Sequence, residues 1–333
     1  IISQGLPERD SAARQQRAEE RLLEMEHWIY DEVSQPQEKL LAKDSDLLPL
    51  NQLAPHFEVP GPAGLLSDFS ADGYCDAVRK AVDYIYAGDI FQVNLSQRLL
   101  FPARSDSISL YLRLRRCNAA PFAGYFETNQ FQIVSASPER FLQVQQGIVE
   151  ARPIKGTRRR ASHPIADLFT ADDLKTSEKD RAENVMIVDL LRNDLSKVCL
   201  PESVFVSELC RLETYEFVQH LVSVVQGELP TDKTPLDLIR ATFPGGSITG
   251  APKVRAMEIV AELEPTARGP YCGSMGYIGF DGTMDLSILI RTIIAGRGWW
   301  QLPVGGGIVA QSTPQSEYAE TWDKAVGMIR ALE

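Results

Sequence analysis

Strand-like and helix-like runs follow one another along this chain without regular alternation, and that irregular order constrains its fold more than any other feature. A wound parallel sheet needs strands and helices in strict turn, so a mixed order predicts an α+β fold of antiparallel β-sheets flanked by helices. Apolar residues at helical spacing predict helices over 11–33, 74–87, 175–198, 234–241, 252–264 and 314–332. Strands are predicted over 90–100, 203–210, 219–227, 271–280 and 285–296, with 121–152 an antiparallel set broken by turns. In the first strand, Phe91, Val93 and Leu95 are expected on one side and Gln92, Asn94 and Ser96 on the other. In the 175–198 helix, Val185, Met186, Val188, Leu190 and Leu191 are expected to be buried. Residues 34–73, with Pro49, Pro55, Pro60 and Pro62, read as a connecting arm. The chain therefore divides into a helix and arm over 1–73 and a main domain over 74–333.

Its 333 residues are 44% hydrophobic and 24% charged, which suits a globular chain with a substantial core. A net charge of −11 argues against nucleic acid or anionic membrane as a partner. An anionic ligand would need a local positive site against that background. The five cysteines (Cys75, Cys117, Cys199, Cys210 and Cys272) are odd in number and never spaced Cys-x-x-Cys. That pattern predicts neither a disulfide framework nor a zinc site, and a reducing cytoplasm. No apolar stretch approaches the ~18 residues of a membrane span, and no signal peptide is visible. The chain opens on Ile1-Ile2 without Met, as a segment beginning within a longer protein would.

Within the main domain, Pro153-Ile154-Lys155-Gly156-Thr157 reads as a turn that holds an amine at one fixed point. An ordinary lysine titrates near ~10.4, so under ~1% of it is nucleophilic at neutral pH. Burial and the nearby Arg152, Arg158, Arg159 and Arg160 are expected to favour the neutral, nucleophilic amine. A surface lysine in a basic loop fits the same residues.

Other segments carry candidate chemistry. The loop Phe243 to Lys253 combines glycines, Ser247, Thr249 and a following helix, a design for binding an anion, although a plain helix entry also fits. Gly305-Gly306-Gly307 is expected where backbone lies flat against something, or else in a flexible turn. Asp180 and Glu183 lie three apart on one helix, and Glu317 and Glu320 on another. Each pair alone suits a solvated face; facing each other they would make an all-oxygen site for Mg²⁺. Arg291 interrupts an apolar run and suits either a ligand carboxylate or a structural ion pair. Tyr271 and His220 sit at expected strand starts and suit satisfied core positions as well as a site, and Glu139, after a proline turn, suits a general acid or base or else a pairing with Arg140 or another cation. Together these features suit a small polycarboxylate ligand.

Six segments carry a family resemblance: Gly88 to Gln97 (GDIFQVNLSQ), Ser137 to Phe141 (SPERF), Pro153 to Thr157 (PIKGT), Asp180 to Asp194 (DRAENVMIVDLLRND), the 243–253 loop, and Glu317 to Thr321 (EYAET). In this order, over most of residues 80–333, they resemble the chorismate-utilising enzymes, most closely the aminodeoxychorismate synthase component I branch. The resemblance implies an anthranilate synthase component I-like fold, with 74–333 the chorismate-binding catalytic domain. It implies Mg²⁺ held by Glu183 and Glu320, with Asp180 and Glu317 close by. Arg291 and Tyr271 are implied to bind a carboxylate with Gly306, Gly307 and Ser247, and Gly156 and Thr157 to contact substrate. His220 is implied near the departing 4-hydroxyl and Glu139 as general acid/base. Gln92 stands where water-adding relatives carry a lysine, which points to ammonia from a glutamine amidotransferase partner.

Lys155 separates the two ammonia-using branches, since anthranilate synthases resemble this chain but typically have alanine there. In the branch with lysine, that residue is implied to form a covalent intermediate on the way to 4-amino-4-deoxychorismate, a precursor of p-aminobenzoate and folate. An anthranilate synthase with an atypical lysine, or a non-catalytic chorismate-binding fragment, are the alternatives. Family members usually carry roughly a hundred further residues before the point where this chain starts, so 1–73 reads as the remnant of such a region.

Overall fold

The computed structural model describes residues 3–30, 48–160, 163–214 and 218–333. The chain divides into two compact units, residues 1–41 and 42–333. In the first, Asp10 caps helix α1 (Ser11–Tyr30) by accepting from the amides of Ala12 and Ala13. The expected continuation of that helix to residue 33, the arm over 34–47 and the side chains of Trp28, Ile29 and Arg159 lie outside the described residues.

The second unit begins with β1 (Phe57–Glu58), β2 (Leu66–Ser67), α2 (Ala71–Tyr86), β3 (Gln92–Pro102) and α3 (Ser107–Cys117). Four strands follow, β4 (Phe122–Glu127), β5 (Gln132–Ser137), β6 (Arg140–Gln145) and β7 (Ile148–Ala151), then β8 (Ile154–Arg159), α4 (Pro164–Thr176) and α5 (Glu178–Ser196). After them come β9 (Phe205–Thr214), β10 (Val218–Glu228), α6 (Pro235–Thr242), β11 (Gly250–Ala251), α7 (Lys253–Leu263) and β12 (Ser274–Ile278). The chain closes with β13 (Met284–Ile288), β14 (Thr292–Gly296), β15 (Trp299–Ile308) and α8 (Pro314–Arg330).

Two antiparallel sheets result, as the irregular order of elements predicts. One runs β1-β2-β3-β15-β14-β5-β4 with β11 on β3; the other runs β12-β13-β6-β7-β10-β8 with β9 on β10. Part of the expected arm is therefore sheet, because β2 pairs with β3 through Leu66–Leu100 and Ser67–Leu99.

Strand β3 departs from the expected alternation. Val93 and Leu95 are buried, but so are Gln92, Asn94 and Ser96, while Phe91 is exposed just before the strand. A strand paired on both edges and covered on both faces has no solvent side for polar residues. Apolar residues of α2 (Tyr74, Ala77, Val78, Ala81) and α7 (Ala256, Ile259) form one core with Val93, Leu95 and Ile308.

Helix α5 begins where Ser177 Oγ accepts from the Asp180 amide. It packs Ile187, Val188, Leu191 and Leu195 into the core of the second sheet. Val185 instead faces solvent, since it falls across the helix from Ile187. In α8 the buried stripe runs Glu317, Thr321, Ala325 and Met328, so one acidic side chain is carried inward with the apolar ones. Among the described residues, no helix is long and apolar enough to cross a membrane.

Candidate active site

Lys155 lies on strand β8, not on the expected turn. Thr157 pairs with His220 and Lys155 with Leu221, so one residue of β8 is unmatched. That residue is Gly156, at φ +75°, and the result is a β-bulge. A Cβ there would sit 2.8 Å from Leu174 Cδ1 and 3.0 Å from Asp180 Cβ, so α4 and α5 close over this point. The glycine thus serves both the backbone twist and the close approach.

Lys155 Nζ donates to the main-chain carbonyl of Ser247 at 3.4 Å, and Ser247 Oγ donates to Glu139 Oε1 at 3.0 Å. Burial lowers the lysine pKa, while Glu183 and Glu139 pull it back up. The arginines expected to help are otherwise engaged. Arg152 pairs with Glu213, Arg158 with Asp173 and Asp180, and Arg160 with Asp167. A cation that depresses Lys155 is Lys324, which local spacing around Lys155 does not reveal. Its signal was the (i, i+4) spacing from Glu320, to which its ammonium pairs at 2.6 Å.

Glu139 is buried, and burial raises its pKa against the pull of Lys155, the Ser247 hydrogen bond and Arg291. Arg291 follows β13 at φ +48°. Its half-buried guanidinium makes no hydrogen bond or ion pair with a described residue. A guanidinium in low dielectric whose donors meet no described acceptor suits a ligand carboxylate. His220 Nδ1 lies 2.8 Å from Thr157 Oγ1, and burial followed by the charge of Arg291 lowers its pKa. Tyr271 is buried just before β12, with its phenol pKa raised by burial.

The glycine-rich segments are backbone packing surfaces. Gly305, Gly306 and Gly307 run inside β15 opposite Ser96, Leu95 and Asn94, not in a flexible turn. A Cβ on Gly306 would lie 3.3 Å from Glu320 Oε1 and 3.5 Å from both Glu317 Oε2 and Lys324 Nζ. A Cβ on Gly307 would collide with the Gln92 amide. The buried Gln92 Oε1 has no hydrogen-bond partner. The 243–253 loop is stitched to β3 through β11, and Thr249 Oγ1 donates inward to the Gly245 carbonyl. The expected open cradle at the start of α7 is thus absent; of its two hydroxyls, Ser247 alone is aimed at another candidate residue.

The acidic pairs of α5 and α8 share one field. Burial raises the Glu183 pKa, Lys155 and Lys179 pull it back, and Asp180 and Glu320 raise it. Burial also raises that of Glu317, whose Oε1 accepts from Ser312 Oγ at 2.6 Å. Glu317 Oε2 is buried with no partner. Burial alone would raise Glu320, but Lys324 brings it below the ordinary range. Asp180 is held by Arg158 at 3.1 Å. Among the described residues no three acidic, histidine or cysteine side chains are already gathered into a metal cage. Mg²⁺ needs none, because it binds through one or two carboxylates and takes its other oxygens from substrate and water. The orphaned Glu317 oxygen and the room left over Gly306 fit such an ion.

Comparison with known proteins gives the family. The chain is 46% identical over 273 residues to anthranilate synthase component 1 of Thermus thermophilus, covering 82% of this chain and 59% of that one. It is 48% identical over 267 residues to aminodeoxychorismate synthase component 1 of Klebsiella aerogenes, covering 80% and 59%. The chain thus spans less than two thirds of the length of these relatives. The crystal structure of anthranilate synthase component I from Streptococcus pneumoniae superimposes with a TM-score of 0.77 at 33% identity, covering 97% of this chain and 67% of that one. Residues 6–330 match the chorismate binding enzyme family, and the chain belongs to it.

Proposed function

We propose that this chain is the synthase component of an aminodeoxychorismate synthase, aminating chorismate to 4-amino-4-deoxychorismate with ammonia from a glutamine amidotransferase partner. The observation that carries this reading is Lys155 Nζ, withdrawn from bulk water and set between Glu139 and the carboxylates of α5 and α8. Its neutral amine forms a bond to ring C2 while the ring double bonds shift and the C4 hydroxyl departs as water. The proton comes from Glu139, whose burial favours the protonated carboxyl, with His220 beside the leaving group. Ammonia then adds at C4, the double bonds shift back and the C2–Nζ bond breaks. Two displacements place nitrogen on the face that oxygen left, and the pyruvyl group stays in place.

Arg291 and Tyr271 bind a carboxylate of chorismate, helped by Ser247 and the backbone at Gly306 and Gly307, while Gly156 and Thr157 line the substrate. Glu183 and Glu320 would hold Mg²⁺ with Asp180 and Glu317 nearby, and the ion would supply positive charge for the other carboxylate. Gln92 lacks the basic amine that activates water. The five free cysteines suit a reducing cytoplasm.

A second reading is anthranilate synthase, favoured by the 46% identity to that enzyme of Thermus thermophilus. Product analysis after incubation with chorismate, Mg²⁺ and ammonium separates the two. Aminodeoxychorismate without released pyruvate supports the proposal, and anthranilate with pyruvate refutes it.

A further inference from the structure

Arg268, between α7 and β12, plays no part in the chemistry above, yet all five of its N–H groups are engaged. Nε donates to Glu264 Oε2 at 2.8 Å, and Nη2 donates to Glu264 Oε1 and to the Asn94 carbonyl, each at 2.6 Å. Nη1 donates to the Ile248 carbonyl at 2.9 Å and approaches Cys272 Sγ at 3.6 Å. The guanidinium also lies over the Tyr271 ring, 5.8 Å from its centre.

These partners belong to three separate pieces of the site. Asn94 is on β3, two residues from Gln92; Ile248 follows Ser247; Tyr271 and Cys272 lead into β12. Glu264 completes the junction by accepting from the Ser96 amide at 2.8 Å and the Ser96 hydroxyl at 2.7 Å. From the other side, Thr266 Oγ1 donates to the buried Asp68 at 2.6 Å, and Asp68 accepts from the Arg98 amide at 2.7 Å. The segment carrying Tyr271 is thus pinned to β3 at two points.

We propose that Arg268 is a positioning residue: its planar fork sets the Ser247 loop and Tyr271 against β3 and so fixes the shape of the carboxylate-binding end. A lysine cannot substitute, because three rotatable donors on a point charge cannot meet a bidentate carboxylate and two carbonyls in one plane. Ligand groups displaced by even an ångström lose much of their effect, while the backbone of Lys155 is held by its pairing with β10 and shares with the Ser247 loop the hydrogen bond to the Ser247 carbonyl.

The inference rests on the proposed reading of the site. The test measures chorismate KM and kcat, with Mg²⁺ and saturating ammonium, for Arg268→Lys and Arg268→Ala, with Tm in parallel and methylguanidinium titrated into the alanine variant. Expected is a rise in KM of at least about tenfold in both, a smaller fall in kcat, and recovery of KM by methylguanidinium in Arg268→Ala alone. If Arg268→Ala does not fold, Glu264→Gln, which keeps the volume and weakens the charged pair, carries the same expectation for KM. Folded variants with KM within about twofold of the parent overturn the inference, as does a loss of kcat and Tm together that methylguanidinium does not restore. A parent chain with no turnover overturns the proposed function along with it, whereas an active parent with unaffected variants overturns the inference alone.

Discussion

Lys155 Nζ donates to the Ser247 carbonyl at 3.4 Å. A neutral amine that gives a hydrogen to a carbonyl keeps its lone pair free and aimed elsewhere. The same Ser247 donates its hydroxyl to Glu139 at 3.0 Å, so one residue contacts both the proposed nucleophile and the proposed acid. Ser247→Ala is therefore expected to lower turnover by roughly tenfold or more, since it removes the hydroxyl from Glu139 and leaves the lysine contact to the backbone. Steady-state kinetics of the folded variant checks this.

Burial of Lys155 has a consequence for stability. Its pKa is lower in the folded protein than in the unfolded chain, so between the two values the unfolded chain binds more protons and stability rises with pH. Below the folded value the cost of the buried ammonium is fully present; above the unfolded value, near ~10.4, it is gone. Lys155→Met is thus expected to raise Tm at neutral pH while abolishing turnover, with the gain shrinking as pH approaches that of an ordinary lysine. A Tm difference that is negative or independent of pH contradicts this.

Gly156→Ala places a Cβ at φ +75° against Leu174 and Asp180. The expected loss is about 1–3 kcal/mol, read as a lower denaturant midpoint, because the Leu174 and Asp180 side chains can yield only part of the needed space. The bulge that aims Lys155 should relax with it, so turnover should fall further than stability alone explains.

Glu320→Gln and Glu183→Gln should weaken Mg²⁺ binding by about tenfold or more, since each removes one of the few charges the ion would meet. Calorimetric titration of Mg²⁺ in the presence of chorismate checks this directly. A chelator should abolish parent turnover and added Mg²⁺ restore it.

Much of this was legible in the sequence because it depends on spacing. The (i, i+3) acidic pairs of α5 and α8 and the antiparallel order follow from residue types at fixed intervals, whereas the covalent role proposed for Lys155 comes from the family resemblance. What was not legible depends on long-range register. The bulge at Gly156 arises only when β8 meets β10, so a local reading of Pro-Ile-Lys-Gly-Thr gives a turn. Arg152, Arg158 and Arg160 neighbour Lys155 along the chain, yet their partners on β9, α4 and α5 draw them away. Burial of Gln92, Asn94 and Ser96 likewise follows from layers packed on both faces of β3, which an alternating pattern does not reveal. Lys324 was hidden because its effect on Lys155 crosses from α8 to β8.

The role given to Lys155 is tested most directly by intact-protein mass spectrometry after mixing the chain with chorismate and Mg²⁺ without ammonium. A covalent adduct equal to chorismate less one water, mapped to Lys155 and discharged as aminodeoxychorismate when ammonium is added, is the expected result. Formation of aminodeoxychorismate at full rate by Lys155→Ala, with no adduct on the parent at any time, would contradict it.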